Sequence, residues 1–407
     1  MAPTPTRPSA TAPIPLSPVD VRLLDAPPVL ALLRLDRELP TEAVRAAFLA
    51  HAPRRFSAAV DESQDPAVLL PGRGAPGFAT RDVQPHELDD VLGVDVPFPA
   101  LAAVGLDDAP ARHPLCTLVH LRVPGGDALA FRLSHAAGDG MSLLAMLGAI
   151  AGDLEGVPAD GPRDRTLRVP ADRSRDPDHR ADTAPQQDVS NRDGARRGGD
   201  ADPTGSAVRG TGTAGDARWL SVLPLSRGCL AELDAVGRER PDLSPTMRRM
   251  AVLARRIAAL VHPPEAGLRV RIPVDLRHRD LGIPAAAIGN HWFDALAVLD
   301  GPQADLPAAG ELADHLTAAV RAAATTFRPG DVEHRPDESL RLLRDVPVVP
   351  LRRGVDLVHS ALPAPRWPGV RELVVMGSAL LGVVDVRGAT RVPLVTPRPL
   401  PAGVVEL

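Results

Sequence analysis

Residues 116–123 (CTLVHLRV) alternate with a period of two, which predicts a strand. Pro124-Gly125-Gly126-Asp127 is a turn signal, and residues 128–134 (ALAFRLS) alternate again, so the pair reads as a β-hairpin. Gly138 and Gly140 in the following HAAGDG end the second strand. Residues 141–153 (MSLLAMLGAIAGD) then space their apolar positions as a helix does. Residues 246–261 (TMRRMAVLARRIAALV) predict an amphipathic helix, with Ser244 as N-cap and Pro245 at the first helical position. Residues 268–274 (LRVRIPV) read as a strand leading into Asp275-Leu276-Arg277, and residues 311–327 as a further helix. The short apolar runs RELVVMG and LLGVVDV, near the end of the chain, predict strands. Strands and helices therefore mix in both halves, and the expected fold is a mixed α/β arrangement of two lobes.

Between the halves, residues 159–216 hold no aromatic side chain and few large aliphatic ones, while Arg, Asp, Gly and Pro dominate. Such a stretch buries too little surface to offset its ordering entropy, so it is expected to be a disordered linker. The expected organisation is a loose Pro/Thr/Ser tail over 1–14, an N-terminal lobe over 15–158, the linker over 159–216 and a C-terminal lobe over 217–407. The net charge of −5 comes without a basic stripe, which argues against nucleic-acid binding. Lys and Tyr are absent and only Asn191 and Asn290 represent Asn, the pattern of a GC-rich, bacterial-type coding sequence. Every cationic side chain except His is therefore Arg, and Arg by itself says little about bidentate recognition. Two Cys, Cys116 and Cys229, supply neither a disulfide framework nor a zinc spacing, and a reducing cytoplasm is the simplest context. Residues 1–14 lack the apolar core of a signal peptide, and no run of about 18 apolar residues predicts a membrane span.

The sharpest chemical feature is Ser134-His135-Ala136-Ala137-Gly138-Asp139-Gly140. His-x-x-x-Asp alone is weak in a chain with 12 His, and His86…Asp90 in PHELDDVL is a second match. That one lacks a following Gly and a strand leading in, and is read as a chance match. At His135 a strand delivers the His, a Gly follows the Asp and a helix starts at once. An imidazole with an ordinary pKa near 6.5 suits removal of a proton from an attacking hydroxyl or amine. Asp139 either fixes the turn by pairing with a distant Arg or caps the helix beside a core His; the spacing leaves both open.

S-H-A-A-G-D-G resembles the H-x-x-x-D-G signature of the CoA-dependent acyltransferase superfamily, which includes chloramphenicol acetyltransferase, plant BAHD acyltransferases, non-ribosomal peptide condensation domains and bacterial wax ester synthases. Residues 15–20 (PLSPVD) resemble the opening of wax ester synthase-like members. Residues 273–277 (PVDLR) with Gly289-Asn290 resemble a P-V-x-x-R…G-N block, and 360–365 (SALPAP) a degraded S-N-x-P-G-P segment. The paired His-His of condensation domains and wax ester synthases is Ser134-His135 here, and the D-F-G-W-G of plant BAHD enzymes is absent.

The resemblance implies two similar α/β lobes with a central channel, as in chloramphenicol acetyltransferase, and His135 midway along it as general base. It implies that Asp139 and Gly140 support the site, with Asp139 paired to Arg277. Asn290 and Ser360 are implied as substrate-positioning or oxyanion donors, and Trp292 as a channel residue. The implied activity is transfer of an acyl group from a CoA thioester, as co-substrate rather than bound cofactor, to a hydroxyl or amine of a small or lipid acceptor. A condensation-like enzyme drawing on an acyl carrier protein and a non-catalytic binding or scaffold member of the fold are the alternatives. No metal is implied, and a monomer is expected because two lobes already supply the cleft.

Overall fold

The computed structural model describes residues 12–106, 114–156, 217–262, 267–277, 283, 287–326, 332–333, 341–342, 356–363, 367 and 369–407. The stretch 159–216 lies outside the described residues. Two large sheets organise the molecule. The first has five strands in the order Val370–Met376, Val29–Leu35, Ala128–Leu133, Cys116–Arg122, Gly77–Asp82. All neighbours are antiparallel except the last pair. The second has seven strands in the order Trp292–Leu299, Leu268–Asp275, Leu357–Leu362, Gly382–Val386, Arg391–Thr396, Trp219–Pro224, Val96–Pro97.

The two halves of the chain exchange strands. Val370–Met376 belongs to the second half by sequence but pairs with Val29–Leu35 of the first. Val96–Pro97 goes the other way and pairs with Trp219 and Leu220. The exchange follows from burial on both faces: Leu373 and Val375 enter the core beneath the first sheet, while Val374 and Met376 enter a second cluster on its far side. A strand covered on both faces reads as a continuous apolar run, and such a run does not say which sheet it joins. Ile14, placed in the tail by its Pro/Thr/Ser surroundings, is instead a strand residue paired with Leu69, and it is 3% exposed.

The predicted hairpin is Cys116–Arg122 and Ala128–Leu133, and the helix after it is Gly140–Leu154. Asp127 closes the hairpin: fully buried, it accepts from the N–H groups of Leu39 (2.8 Å) and Val123 (3.1 Å), and His120 Nε2 lies 2.8 Å away. Phe131, on the strand that leads to His135, meets Phe48 of helix Thr41–His51 edge-on with centroids 6.0 Å apart. Such a pair adds about 0.5–1.5 kcal/mol beyond area burial. In the second half, helices Pro245–Val261 and Ala309–Ala324 cover one face of the seven-stranded sheet, burying Val270, Ile272, Ala295 and Ala297. The other face of that sheet turns toward the first half, and Leu362 and Val384 enter the first half's core. His135 lies at this junction.

Candidate functional site

The SHAAGDG segment is a strand end, a turn and a helix start, each with its own anchor. Ser134 N–H donates to the Leu115 carbonyl (2.7 Å), and Ala137 N–H to the Ser134 carbonyl (2.9 Å). At Gly138 a Cβ would sit 2.9 Å from Ser142 Cβ, so no larger residue fits without displacing the helix start. Asp139 is the N-cap and accepts from Ser142 N–H at 2.8 Å. Gly140 begins the helix with Leu362 of the second half close by: a Cβ there would lie 3.4 Å from Leu362 Cδ2.

Both readings of Asp139 hold at once. Besides capping, its carboxylate takes a two-pronged contact from Arg277, with Nη1 and Nη2 each at 3.0 Å. Arg277 has a side chain 1% exposed, and also donates to the carbonyls of Ala287 (2.9 Å) and Gly289 (2.9 Å) and to Asp275 (2.8 Å). Its guanidinium is therefore a buried tie from the second half to the motif turn, not a solvated surface group. Ser142 Oγ lies 2.9 Å from Asp139 Oδ1 and 3.0 Å from the Gly289 carbonyl, and it accepts from Gly289 N–H at 3.0 Å. Gly289 has φ +131°, a backbone conformation that only Gly adopts readily. Burial works against ionisation of Asp139, but the charge and hydrogen bonds of Arg277 win and hold it below the usual carboxylate pKa.

A second set of contacts grips the same turn from its other side. Arg55 donates to the carbonyls of Ala137 (2.8 Å) and Ala136 (2.9 Å), and pairs with Asp20 at 2.5 Å. Asn290 Nδ2 donates to Asp20 Oδ1 (2.8 Å) and to the His135 carbonyl (2.6 Å), and Trp292 Nε1 donates to Asn290 Oδ1 (3.3 Å). Both amide protons of Asn290 are thus committed within the protein. In this arrangement the Asn290 side chain holds the turn, and neither of its amide N–H groups points to a substrate oxygen. Asp20 sits in the short helix Pro18–Arg22, whose capping box is built by Ser17 and Asp20. S-P-V-D is a legible cap signal in the sequence; Arg55 carries no local signal.

His135 itself is half-buried, and its Nδ1 is enclosed without a hydrogen-bond partner. Its ring centroid is 6.3 Å from that of Trp292, whose plane is tilted by 55°, so Trp292 stands beside the imidazole. Burial pushes the His135 pKa below the ordinary imidazole value, opposed by its own carbonyl, Asp139, Asn290 and Asp20. Neighbouring His291 is neutral for the same reason: burial and the Arg277 charge lower it to about 4. Ser360 is half-buried in strand Leu357–Leu362, on the face that Leu362 turns toward Gly140. The other His-x-x-x-Asp match, His86 and Asp90, lies exposed on helix Pro85–Val91. Among the described residues no group of three His, Cys, Asp or Glu is placed to hold a metal ion, and no helix is long and apolar enough to cross a membrane.

No protein-family model matches the sequence, and no curated protein matches it. Solved structures do match in fold. Vinorine synthase aligns with a TM-score of 0.57 at 13% identity, over 97% of this chain and 91% of that one. The first condensation domain of the CDA synthetase aligns with a TM-score of 0.57 at 12% identity, over 95% and 90%. TRI101 of F. sporotrichioides, complexed with coenzyme A and T-2, aligns with a TM-score of 0.53 at 12% identity, over 95% and 94%. The chain therefore shares the fold of vinorine synthase, TRI101 and the CDA synthetase condensation domain, the fold that its SHAAGDG segment led one to expect.

Proposed function

We propose that this protein is an acyltransferase that moves an acyl group from a CoA thioester to a hydroxyl or amine, with His135 as general base. The observation that carries the reading is the setting of the imidazole: half-buried, beside Trp292, on a turn anchored by side chains of both halves of the chain. Nδ1 is enclosed, which leaves Nε2 as the ring nitrogen that faces the acceptor and acts as the base. As the acceptor oxygen or nitrogen bonds to the thioester carbonyl carbon, its proton passes to Nε2. The C–S bond then breaks, and the imidazolium returns the proton to the leaving thiolate. A pKa below 6.5 keeps the base free at neutral pH. Asp139, Gly140 and Arg277 hold the turn and touch no substrate, Asn290 holds the His135 carbonyl, Trp292 lines the approach, and Ser360 is the remaining side-chain donor on the facing sheet.

Two neighbours support a CoA-type donor and a small acceptor, since TRI101 is crystallised with coenzyme A and T-2 and a rhizomide synthetase starter condensation domain with C8-CoA and Leu-SNAC. The latter also keeps the condensation-like reading, in which a carrier-protein thioester supplies the acyl group. The test is mass spectrometry of products after incubation with mixed acyl-CoAs and an extract of the source organism, with acyl-phosphopantetheinyl carrier protein in a parallel arm. New acylated products from the CoA arm support the proposal. Products from the carrier arm alone replace the donor, and products from neither reject acyl transfer.

A further inference from the structure

Two braces hold the turn that carries His135, and only one belongs to the H-x-x-x-D segment. The Asp139–Arg277 brace holds the helix start. The other runs from Asp20 to His135 by two routes. In one, Asp20 Oδ1 accepts from Asn290, whose second N–H donates to the carbonyl of His135 itself. In the other, Asp20 Oδ2 pairs with Arg55, which donates to the next two carbonyls, Ala136 and Ala137. Three consecutive carbonyls thus accept from two side chains joined at one carboxylate. The side chains of Asp20 and Arg55 are 5% and 6% exposed, so these bonds form away from water. Asp20 is itself fixed, because Ser17 N–H donates to its Oδ2 at 3.0 Å and its own N–H donates to Ser17 Oγ at 3.1 Å.

We propose that Asp20 is a positioning residue for His135, acting through Asn290 and Arg55 to fix the carbonyl beside the imidazole and hence the aim of Nε2. This rests on the reading of His135 as the base. A bare packing role would need neither a charge nor a three-carbonyl grip. A hydrogen-bonded line from carboxylate to amide to carbonyl orients the ring and leaves its substrate side open.

The charge of Asp20 also acts on His135. The charged and titratable groups around the imidazole are Asp139 on its own turn, Asp20 with Arg55, Arg277 behind Asp139, neutral His291, and Asp294 with its partner Arg271 on strand Trp292–Leu299 and its neighbour. Asp20 is among the groups that raise the His135 pKa. Asp20→Asn removes that negative charge and leaves the Arg55 cation unbalanced. Both effects disfavour the imidazolium, so His135 titrates at lower pH in the variant.

The experiment is a histidine ring NMR titration of full-length protein, with His135→Gln assigning the resonance, comparing wild type with Asp20→Asn. It needs no substrate, so silence in every turnover assay counts against acyl transfer without touching this result. The expected result is a downward shift of the His135 midpoint; an unchanged midpoint in a folded variant overturns the proposal. Breaking a buried pair can unfold a protein, so Asp20→Asn/Arg55→Gln, which leaves no lone charge, is titrated alongside; with the Arg55 cation gone only the loss of the Asp20 charge remains, and a smaller downward shift is expected. Where thiol release from acyl-CoA is measurable, Asp20→Asn lowers kcat by about 10- to 100-fold, as misorientation can, with KM for the thioester little changed. Asp20→Asn/Asn290→Ala then loses no more than the worse single variant, because both lie on one line. Fully additive losses, or a rise in KM at constant kcat, contradict it.

Discussion

Arg277→Leu removes the cation that ties the two halves together at the motif turn. The structure sets the size of the effect. Arg277 is 1% exposed in its side chain and Asp139 is 9%, and the guanidinium meets the carboxylate through two contacts of 3.0 Å. Removing one partner of a buried pair leaves an uncompensated charge and costs about 3–5 kcal/mol. The carbonyls of Ala287 and Gly289 lose their donor as well. At about 2–4 °C per kcal/mol for a unit of this size, the melting temperature falls by on the order of 10 °C. The assay is thermal unfolding of Arg277→Leu, Asp139→Asn and the double variant. Asp139→Asn removes the buried carboxylate that Arg277→Leu would leave uncompensated, so the double variant is predicted to melt above Arg277→Leu, with a coupling of about 1–3 kcal/mol between the sites. A loss under about 1 kcal/mol in Arg277→Leu, or strict additivity in the double variant, refutes the view that this pair is a buried structural tie.

Other consequences are as direct. Gly138→Ala forces a Cβ to 2.9 Å from Ser142 Cβ and disturbs the cap that Asp139 provides; a loss of about 1–3 kcal/mol in denaturant unfolding is expected, with activity lost alongside. His291 and His359 are held neutral by burial, with pKa values lowered to about 4 and about 3. Unfolding exposes them to take protons at their ordinary pKa, so stability is lost as pH falls from 6.5 toward 4. The loss is roughly 3 kcal/mol for His291 at 1.36 kcal/mol per unit. His359→Leu flattens that acid limb in urea titrations at pH 7 and pH 4.5; an unchanged difference between the two pH values contradicts it. Catalysis shares that acid edge: kcat/KM rises with pH through the His135 midpoint, which burial places below the ordinary imidazole value, and levels off above it, as a pH–rate profile reads directly.

The motif unit was the most legible part of the chain. A period-two hairpin followed by a helical period gave Cys116–Arg122, Ala128–Leu133 and Gly140–Leu154 to within a residue or so. What periodicity lacked was the partner. RELVVMG reads as a strand anywhere, and only tertiary packing sends it to the edge of the first sheet rather than the second. Ile14 was hidden by its Pro/Thr/Ser neighbours, although its pairing with Leu69 needs nothing more than one apolar side chain and an extended backbone. The Asp139–Arg277 pair came from the resemblance and not from spacing, since 138 residues separate the two. The G-N pair draws attention to Asn290, but its amide faces inward to Asp20 and the His135 carbonyl, a matter of side-chain direction that sequence does not encode. Arg55 is invisible for a compositional reason: where Arg is used and Lys is absent, a buried Arg looks like all the others.

The central claim is that one imidazole removes the proton from the attacking acceptor. Single-turnover release of free thiol from acetyl-, octanoyl- and palmitoyl-CoA, with simple alcohols and amines as acceptors, tests it in His135→Ala against wild type. His86→Ala serves as the reference for the exposed second motif match. The account predicts a fall of about 10²–10⁴-fold in His135→Ala and wild-type rates in His86→Ala. A folded His135→Ala protein that releases thiol within about threefold of wild type contradicts it.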